Sequence, residues 1–573
     1  MTTEMSKSEI ESAWREHCRS AVRKFVMNAV VVDDKPFLPE RNHIVERSAA
    51  IAQAVDDGTG SLDGDNEGEI LIEEGGPEVD KINGHPLNIQ AISDAFADQD
   101  IACSFVLPKE QDPEETIIKR VLVAAIPADI VIIDWKLRNS SHSITLNILE
   151  QIAQKDAAEN GRFRLICIYT GEPQIAEITR DALTALEKGG LVFEQRHEDA
   201  GRAMGKYHCL QVLKKDEEPG VDHLPKILVN SMTDLANGLL PAFSLAAVSA
   251  IRKNVHHIIS RFSSDLDGAY VANRMITSPP GEVAELMREL FISECDTALG
   301  LEMVADQFLE PEKIKLWLED RSQPKTVCEY GKEKAKTKTD RDFLISLLDT
   351  GISDGKVLVA KNQVKFPEDK RVLVSQSIHG DEATAIKAEN QFAKHVALKR
   401  EAFGKTKMKS EGGDWVPSLT LGTILRHRKI VDGNPKDTYY YCLTPACDTI
   451  RIMGDIRTFL LLEVSEKDKA NLILTEEDGA DKRLFIDSKP TNIRAFQFKG
   501  CVLAGRVKAE RRVETEKTTF IFQSATEQVE EFLWLGEVRR NRANRDMANL
   551  NREWLRFGIK DSEYLRLAER GSV

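Results

Sequence analysis

Uninterrupted apolar runs, each closed by an oxygen-bearing or basic side chain, mark the first third of the chain. Asn28-Ala29-Val30-Val31-Val32 leads into Asp33-Asp34, Ala128-Asp129-Ile130-Val131-Ile132-Ile133 into Asp134, and Arg164-Leu165-Ile166-Cys167-Ile168-Tyr169 into Thr170. Runs with so little polar alternation predict strands buried on both faces, as in a parallel sheet covered by helices. Such a sheet delivers its strand-end side chains to the carboxyl edge, where ligands bind in open α/β folds. A fourth run, Cys209-Leu210-Gln211-Val212-Leu213, ends in Lys214-Lys215. Leu191-Val192-Phe193-Glu194 also has strand character but brings no lysine, so two segments compete for the fifth strand.

Farther along, apolar residues from Leu224 to Phe262 recur at near-helical spacing, and Pro241 is expected to divide the stretch in two. It would serve as a dimer interface or hinge or, more simply, as the core of the next domain. A mainly helical segment follows from about Ser263 to Leu348, broken at Pro279-Pro280, with an amphipathic helix over Glu282 to Phe291. Residues 350 to 415 mix a strand-like Lys356 to Ala360 with a helix near Glu382 to Leu398. In the final third, Tyr439 to Thr444, Phe459 to Val464, Arg494 to Phe498 and Thr518 to Phe522 predict short strands separated by polar connections. Helices are expected from about Glu530 onward, with Trp534, Leu550, Trp554 and Leu555 as apolar anchors. Arg539, Arg540, Arg542 and Arg545 form a basic cluster there, interrupted by Glu537, Asp546 and Glu553.

The 573 residues leave room for three or four domains. A net charge of −15 argues against a broad electrostatic footprint on nucleic acid. No apolar stretch approaches the roughly 18 residues of a membrane span, and the N-terminus lacks the basic start and apolar core of a secretion signal. The expectation is a cytoplasmic protein with no membrane association. The nine cysteines are scattered and read as reduced core thiols; Cys442 and Cys447 lack a second pair to complete a zinc site. Between Arg47 and Lys81 there is no Lys or Arg, while aspartates and glutamates accumulate among glycines, a composition that favours a solvated loop.

The strand-end residues suggest phosphoryl chemistry. Two adjacent carboxylates, Asp33 and Asp34, can hold Mg2+, which takes oxygen ligands and usually only one or two carboxylates. The backbone carbonyl of Lys136 and the carboxylate of Asp134 would be further ligands. Asp134 would attack phosphorus, as carboxylates do when they form covalent phosphoryl intermediates. Thr170 supplies a hydroxyl, and a lysine at the next strand end, Lys215 or alternatively Lys214, an ammonium for the developing charge. Alone, Asp33-Asp34 would read as a turn or helix cap; with Asp134 and Thr170 it reads as an acidic pocket.

The fragments "VVVDDKP", "DIVIIDWKL", "LICIYTGEP" and "LQVLKK" resemble, in order, four strand ends of a response-regulator receiver domain, over about residues 22 to 235. The resemblance implies a flavodoxin-like doubly wound parallel sheet of order 2-1-3-4-5. It implies Asp134 as phosphoacceptor, Asp33 and Asp34 as magnesium ligands, Thr170 as switch hydroxyl and Lys215 as phosphate-binding lysine. The 100 positions between Asp34 and Asp134 exceed what two crossovers need, which places an acidic insertion over 38–85. The division expected is an N-terminal helix (1–21), the receiver-like domain (22–235), a helical region (236–348) and a mixed α+β module (349–573).

Segments from about Leu240 onward, among them "YYYCLTPACDTIRI" and "FLWLGEVRRNRANRDMANLNREWLRFGIKDSEYLR", are similar to large bacterial receiver-containing proteins of two-component-like anti-phage defence systems such as Detocs. That likeness implies a phosphoryl-accepting relay or phosphate sink for a histidine-kinase-like partner, with a downstream effector protein. The alternatives are a protein-binding scaffold with a degenerate receiver and a DNA-binding transcription regulator. No P-loop, nucleophile elbow or kinase catalytic set occurs, so no separate output enzyme is expected.

Overall fold

The computed structural model describes residues 6–38 and 87–554, except 110, 139–140, 160, 216–219, 279–280, 322–323, 333–335, 354, 360–361, 367–369, 371, 405–414, 488–491 and 515–516. The acidic stretch expected over 38–85 lies almost wholly outside the described residues, as do Pro279-Pro280 and Leu555. The chain forms two compact units, one comprising Met1–Asn254 and Ala298–Asp320, the other Val255–Thr297 and Arg321–Val573.

The first unit is built on seven strands: β1 (Asn28–Val32), β2 (Ala102–Val106), β3 (Ile130–Ile133), β4 (Arg164–Thr170), β5 (Phe193–His197), β6 (Arg202–Gly205) and β7 (His208–Lys214). Their spatial order is β2-β1-β3-β4-β7-β6-β5. The first five in this order pair in parallel, and β6 and β5 extend the sheet as an antiparallel hairpin. The doubly wound α/β sheet read from the sequence is therefore present, and its fifth parallel strand is the lysine-bearing one. The Leu191 to Glu194 candidate leads instead into the outer edge strand, whose mostly exposed polar residues Glu194, Gln195, Arg196 and His197 suit an unpaired edge. Gly201 turns that hairpin at φ +64°, and a Cβ there would stand 2.6 Å from the Val212 carbonyl oxygen.

Within the apolar runs, alternate residues serve different cores. Val30, Val32, Val131, Ile133, Ile166 and Ile168 pack toward α3 (below), whereas Ala29, Val31, Ile130, Ile132, Leu165 and Cys167 pack on the opposite face. The helices are α1 (Lys7–Phe25), α2 (Ile89–Ala97), α3 (Glu114–Ala125), α4 (Ser143–Ala158), α5 (Ile175–Lys188), α6 (Leu224–Leu235) and α7 (Leu239–Lys253). The core on one face contains residues of α3, α4 and α5; the other contains residues of α1, α2, α6 and α7. A Ser6/Glu9 capping box starts α1, and Trp14 Nε1 donates to Asn237 Oδ1 at 2.8 Å.

The stretch from Leu224 to Phe262 forms α6, α7 and α8 (Val255–Arg261), followed by α9 (Asp267–Ile276), α10 (Gly281–Leu301), α11 (Val304–Leu309) and α12 (Pro311–Asp320). The break falls at Ala236 to Gly238 rather than at Pro241. Pro241 sits in the first turn of α7, where a backbone N–H has no intrahelical acceptor and its absence costs nothing. Leu245, Ala246 and Ala250 of α7 are buried in the first unit's core, whereas Leu240, Val248, Val255 and Ile259 are exposed.

The second unit centres on ten antiparallel strands: β8 (Leu398–Glu401), β9 (Thr423–Val431), β10 (Asn434–Cys442), β11 (Ile456–Glu466), β12 (Leu472–Thr475), β13 (Asp481–Phe485), β14 (Ile493–Lys499), β15 (Glu510–Glu514), β16 (Lys517–Gln523) and β17 (Glu531–Val538). The order is β12-β13-β11-β10-β9-β17-β16-β15, with β8 also paired to β17 and β14 to β11. Both faces are covered: Tyr439 and Tyr441 enter one core, Tyr440 and Cys442 the other. The helices α13 (Arg341–Thr350), α14 (Val372–His379) and α15 (Glu382–Ala397) precede the strands, and α16 (Arg540–Trp554) follows them. The expected helix from Glu530 is corrected: Glu531–Val538 is a strand, because Phe532 and Trp534 alternate into one core while Leu535 enters the other.

All nine cysteines are free, but only Cys18, Cys167, Cys209 and Cys442 are buried, and Cys447 is exposed. Among the described residues, no helix is long and apolar enough to cross a membrane.

Candidate functional site

The carboxyl ends of β1, β3, β4 and β7 meet because four parallel strands lie side by side in register, Val32 beside Ile133 and Ile133 beside Ile168. The residues immediately after β1 and β3 are Asp33, Asp34 and Asp134; their carboxylate oxygens lie within 4.8 Å of one another. It is the only cluster of potential metal-binding side chains found among the described residues. Asp134 is held by its own backbone: its amide donates to the Val32 carbonyl at 2.9 Å, and its carbonyl accepts from the Thr145 hydroxyl of α4 at 3.0 Å.

Lys215 follows β7, and its amide donates to the Thr170 carbonyl at 2.8 Å. Its Nζ reaches Asp33 Oδ2 at 2.6 Å and Asp134 Oδ2 at 3.4 Å, with all three side chains nearly inaccessible. Lys214 pairs in register with Thr170, one position earlier, and alternation turns its side chain the other way. The structure thus brings Lys215, not Lys214, into the acidic cluster.

Each carboxylate has a distinct set of partners. Asp33 Oδ1 accepts from the Lys35 amide at 2.7 Å, while Asp34 Oδ2 accepts from the Arg138 amide at 2.7 Å. Asp34 Oδ1 is buried with no hydrogen-bond partner. Burial pushes the Asp134 carboxyl up to about 7; the Lys215 ammonium opposes the shift, and the Asp33 and Asp34 carboxylates add to it.

Thr170 is buried, and its Oγ1 accepts from the Glu172 amide at 3.2 Å. The side chain of Glu172 pairs with Lys136 Nζ at 2.7 Å, so the loops after β3 and β4 are tied together. Trp135, between Asp134 and Lys136, stacks on His142 with ring centroids 5.2 Å apart. Sequence reasoning missed the Lys35 and Arg138 amides, since a main-chain donor leaves no trace in residue type. It also missed the Lys136–Glu172 pair, whose members lie on different loops.

Other candidates do not gather into a site. Cys447 is exposed and belongs to no metal-binding cluster among the described residues. In the basic cluster, Arg539 donates to the His395 carbonyl, Arg540 pairs with Glu289 and Arg542 with Asp546.

Residues 25–219 match the family described as Response receiver domain, about a third of the chain. No curated protein and no solved structure matches the chain. The matched span includes Asp33, Asp34, Asp134, Thr170 and Lys215, and the match supports a response-regulator-like function in general.

Proposed function

We propose that Asp134 accepts a phosphoryl group from a phosphohistidine of a partner kinase, and that the protein relays or stores that group. The observation that carries this reading is the cluster of three carboxylates, two of them, Asp33 and Asp134, bridged by Lys215 Nζ at 2.6 Å and 3.4 Å. An Asp134 oxygen forms the new P–O bond while the P–N bond to the donor imidazole breaks, the ring nitrogen keeping the electron pair and taking a proton. Lys215 meets the charge on the phosphoryl oxygens, and the Thr170 hydroxyl, exchanging its contact with the Glu172 amide, donates to one of them.

The pocket fits a magnesium ion: its donors are all oxygens, and Asp34 Oδ1 is buried without a partner. Asp33, Asp34, Asp134 and the Lys136 carbonyl would hold it. When bound it neutralises the carboxylates and the transferring phosphoryl oxygens. Before that, Lys215 fills part of the same electrostatic role by pairing with Asp33.

The added phosphate charge would rearrange the Lys136–Glu172 contact and the loops around it, the local event from which a downstream effector protein reads the state. Self-association through the exposed Val255 and Ile259 of α8 belongs to the same reading. A role in anti-phage defence rests on the sequence likeness of the segments after Leu240 alone. The test is phosphate incorporation from a small phosphodonor, with and without Mg2+. Label should enter the wild type only with Mg2+ and be lost in Asp134→Asn; an unlabelled, folded wild type would favour a binding scaffold with a degenerate receiver.

A further inference from the structure

We propose that Arg138 is a positioning residue that fixes how Asp34 presents itself to a cation and thereby favours a small octahedral ion over a larger one. The inference rests on the reading of the acidic pocket as a cation site. Arg138 has φ +61°, a left-handed conformation that a side chain with a Cβ rarely adopts. From there its amide donates to Asp34 Oδ2 at 2.7 Å. Its guanidinium turns away from the pocket, and Nη1 donates to the Asp112 carbonyl at 2.7 Å, just ahead of α3. The side chain therefore tethers an unusual backbone geometry whose product is one hydrogen bond to one carboxylate oxygen.

The consequence for Asp34 is directional. With one lone pair of Oδ2 engaged and the carboxylate unable to rotate freely, the buried Oδ1, which has no hydrogen-bond partner, is the donor atom this geometry favours. Mg2+ demands near-ideal octahedral geometry and accepts single oxygens, whereas Ca2+ readily takes bidentate carboxylates in a looser shell. A carboxylate locked in advance supports the first and hinders the second, because its geometry is set before binding rather than at its expense.

Three variants of the full chain separate amide from side chain. Arg138→Gly keeps the amide and adopts the left-handed backbone without strain, losing only the tether. Arg138→Pro removes the donor and fixes φ near about −65°. Arg138→Ala keeps the donor and the Cβ strain of the left-handed backbone but loses the tether that holds it there.

Calorimetric titration with Mg2+ and Ca2+, alongside far-UV circular dichroism to check folding, reads the result. Arg138→Pro should weaken Mg2+ binding about tenfold, the loss of one charge-assisted hydrogen bond, with Ca2+ affected less. Arg138→Gly should stay within about threefold of wild type, and Arg138→Ala should fall between, carrying the test if the proline variant does not fold. Equal losses for both cations, or Arg138→Pro and Arg138→Ala binding Mg2+ like wild type, would overturn the role of Arg138 while leaving the cation site intact. A wild type that binds neither cation would overturn the site itself and this inference with it.

Discussion

Lys215 Nζ stands 2.6 Å from Asp33 Oδ2, so the buried carboxylate cluster carries its own counter-cation. Its removal leaves the Asp33 and Asp134 carboxylates buried beside each other and beside the half-buried Asp34. Lys215→Met is expected to destabilise the protein by about 3 kcal/mol in metal-free buffer, the typical cost of stranding a buried charge. Mg2+ should then raise the melting temperature of the variant more than that of wild type, and phosphate incorporation should fall. Lys214→Ala, by contrast, should change stability by less than about 0.5 kcal/mol and leave labelling intact. Thermal melting with and without Mg2+ distinguishes the two lysines.

Thr170 accepts a hydrogen bond from the Glu172 amide at 3.2 Å, and Glu172 in turn holds Lys136 beside Trp135. Thr170→Val preserves shape but removes the hydroxyl. Asp134 should still be labelled in this variant, within about tenfold of the wild-type rate. The change in Trp135 fluorescence on phosphorylation should disappear, with Trp135→Phe as the control that identifies the signal. Loss of labelling altogether would make the Thr170 hydroxyl indispensable to the transfer step rather than a minor aid to it.

His17 on α1 lies buried between Trp14 and Phe308, its Nε2 without a hydrogen-bond partner. Burial, with the Lys313 charge adding to it, pushes its imidazole down to about 4. The unfolded chain takes up a proton near 6.5 while the folded one does not, so stability is complete above that pH and declines as pH falls toward about 4. A drop in melting temperature on the order of a few degrees is expected between pH 7 and pH 5. His17→Leu should reduce that drop, as scanning calorimetry at both pH values would show.

In the second unit, Asp546 receives Tyr441 Oη at 3.2 Å and Arg542 Nε at 2.7 Å, joining α16 to β10. Asp546→Ala strands the fully buried Tyr441 hydroxyl and should destabilise this unit by about 1–3 kcal/mol. Tyr441→Phe in the same background should recover part of the loss, because it removes the unsatisfied group. Chemical denaturation of the two variants measures both effects.

The parts of this architecture most legible in the sequence are those buried on both sides. Ile130–Ile133 and Arg164–Thr170 are buried throughout, so selection for apolar residues on both faces writes a continuous run that ends where solvent and chemistry begin. Asp33, Asp34, Asp134, Thr170 and Lys215 were readable because each stands at such an end. The β5–β6 hairpin was harder, since an edge strand with exposed Glu194 to His197 resembles a loop in composition. The helix expected from Glu530 fails at Glu531–Val538 because its apolar run, Phe532 to Leu535, is only four residues long, too short for periodicity to tell a strand from a helix. The role of Arg138 was invisible for a different reason: it lies in an amide and a dihedral angle, not in a side-chain type.

The central claim is that Asp134 carries the phosphoryl group, and the most direct measurement locates that group chemically. The full chain is incubated with a small phosphodonor and Mg2+, then digested and analysed by mass spectrometry with and without hydroxylamine, which cleaves acyl phosphates. The account predicts one hydroxylamine-labile phosphate on the peptide containing Asp134, absent when Mg2+ is omitted. A stable phosphate on another residue, or none on the folded protein, would contradict it.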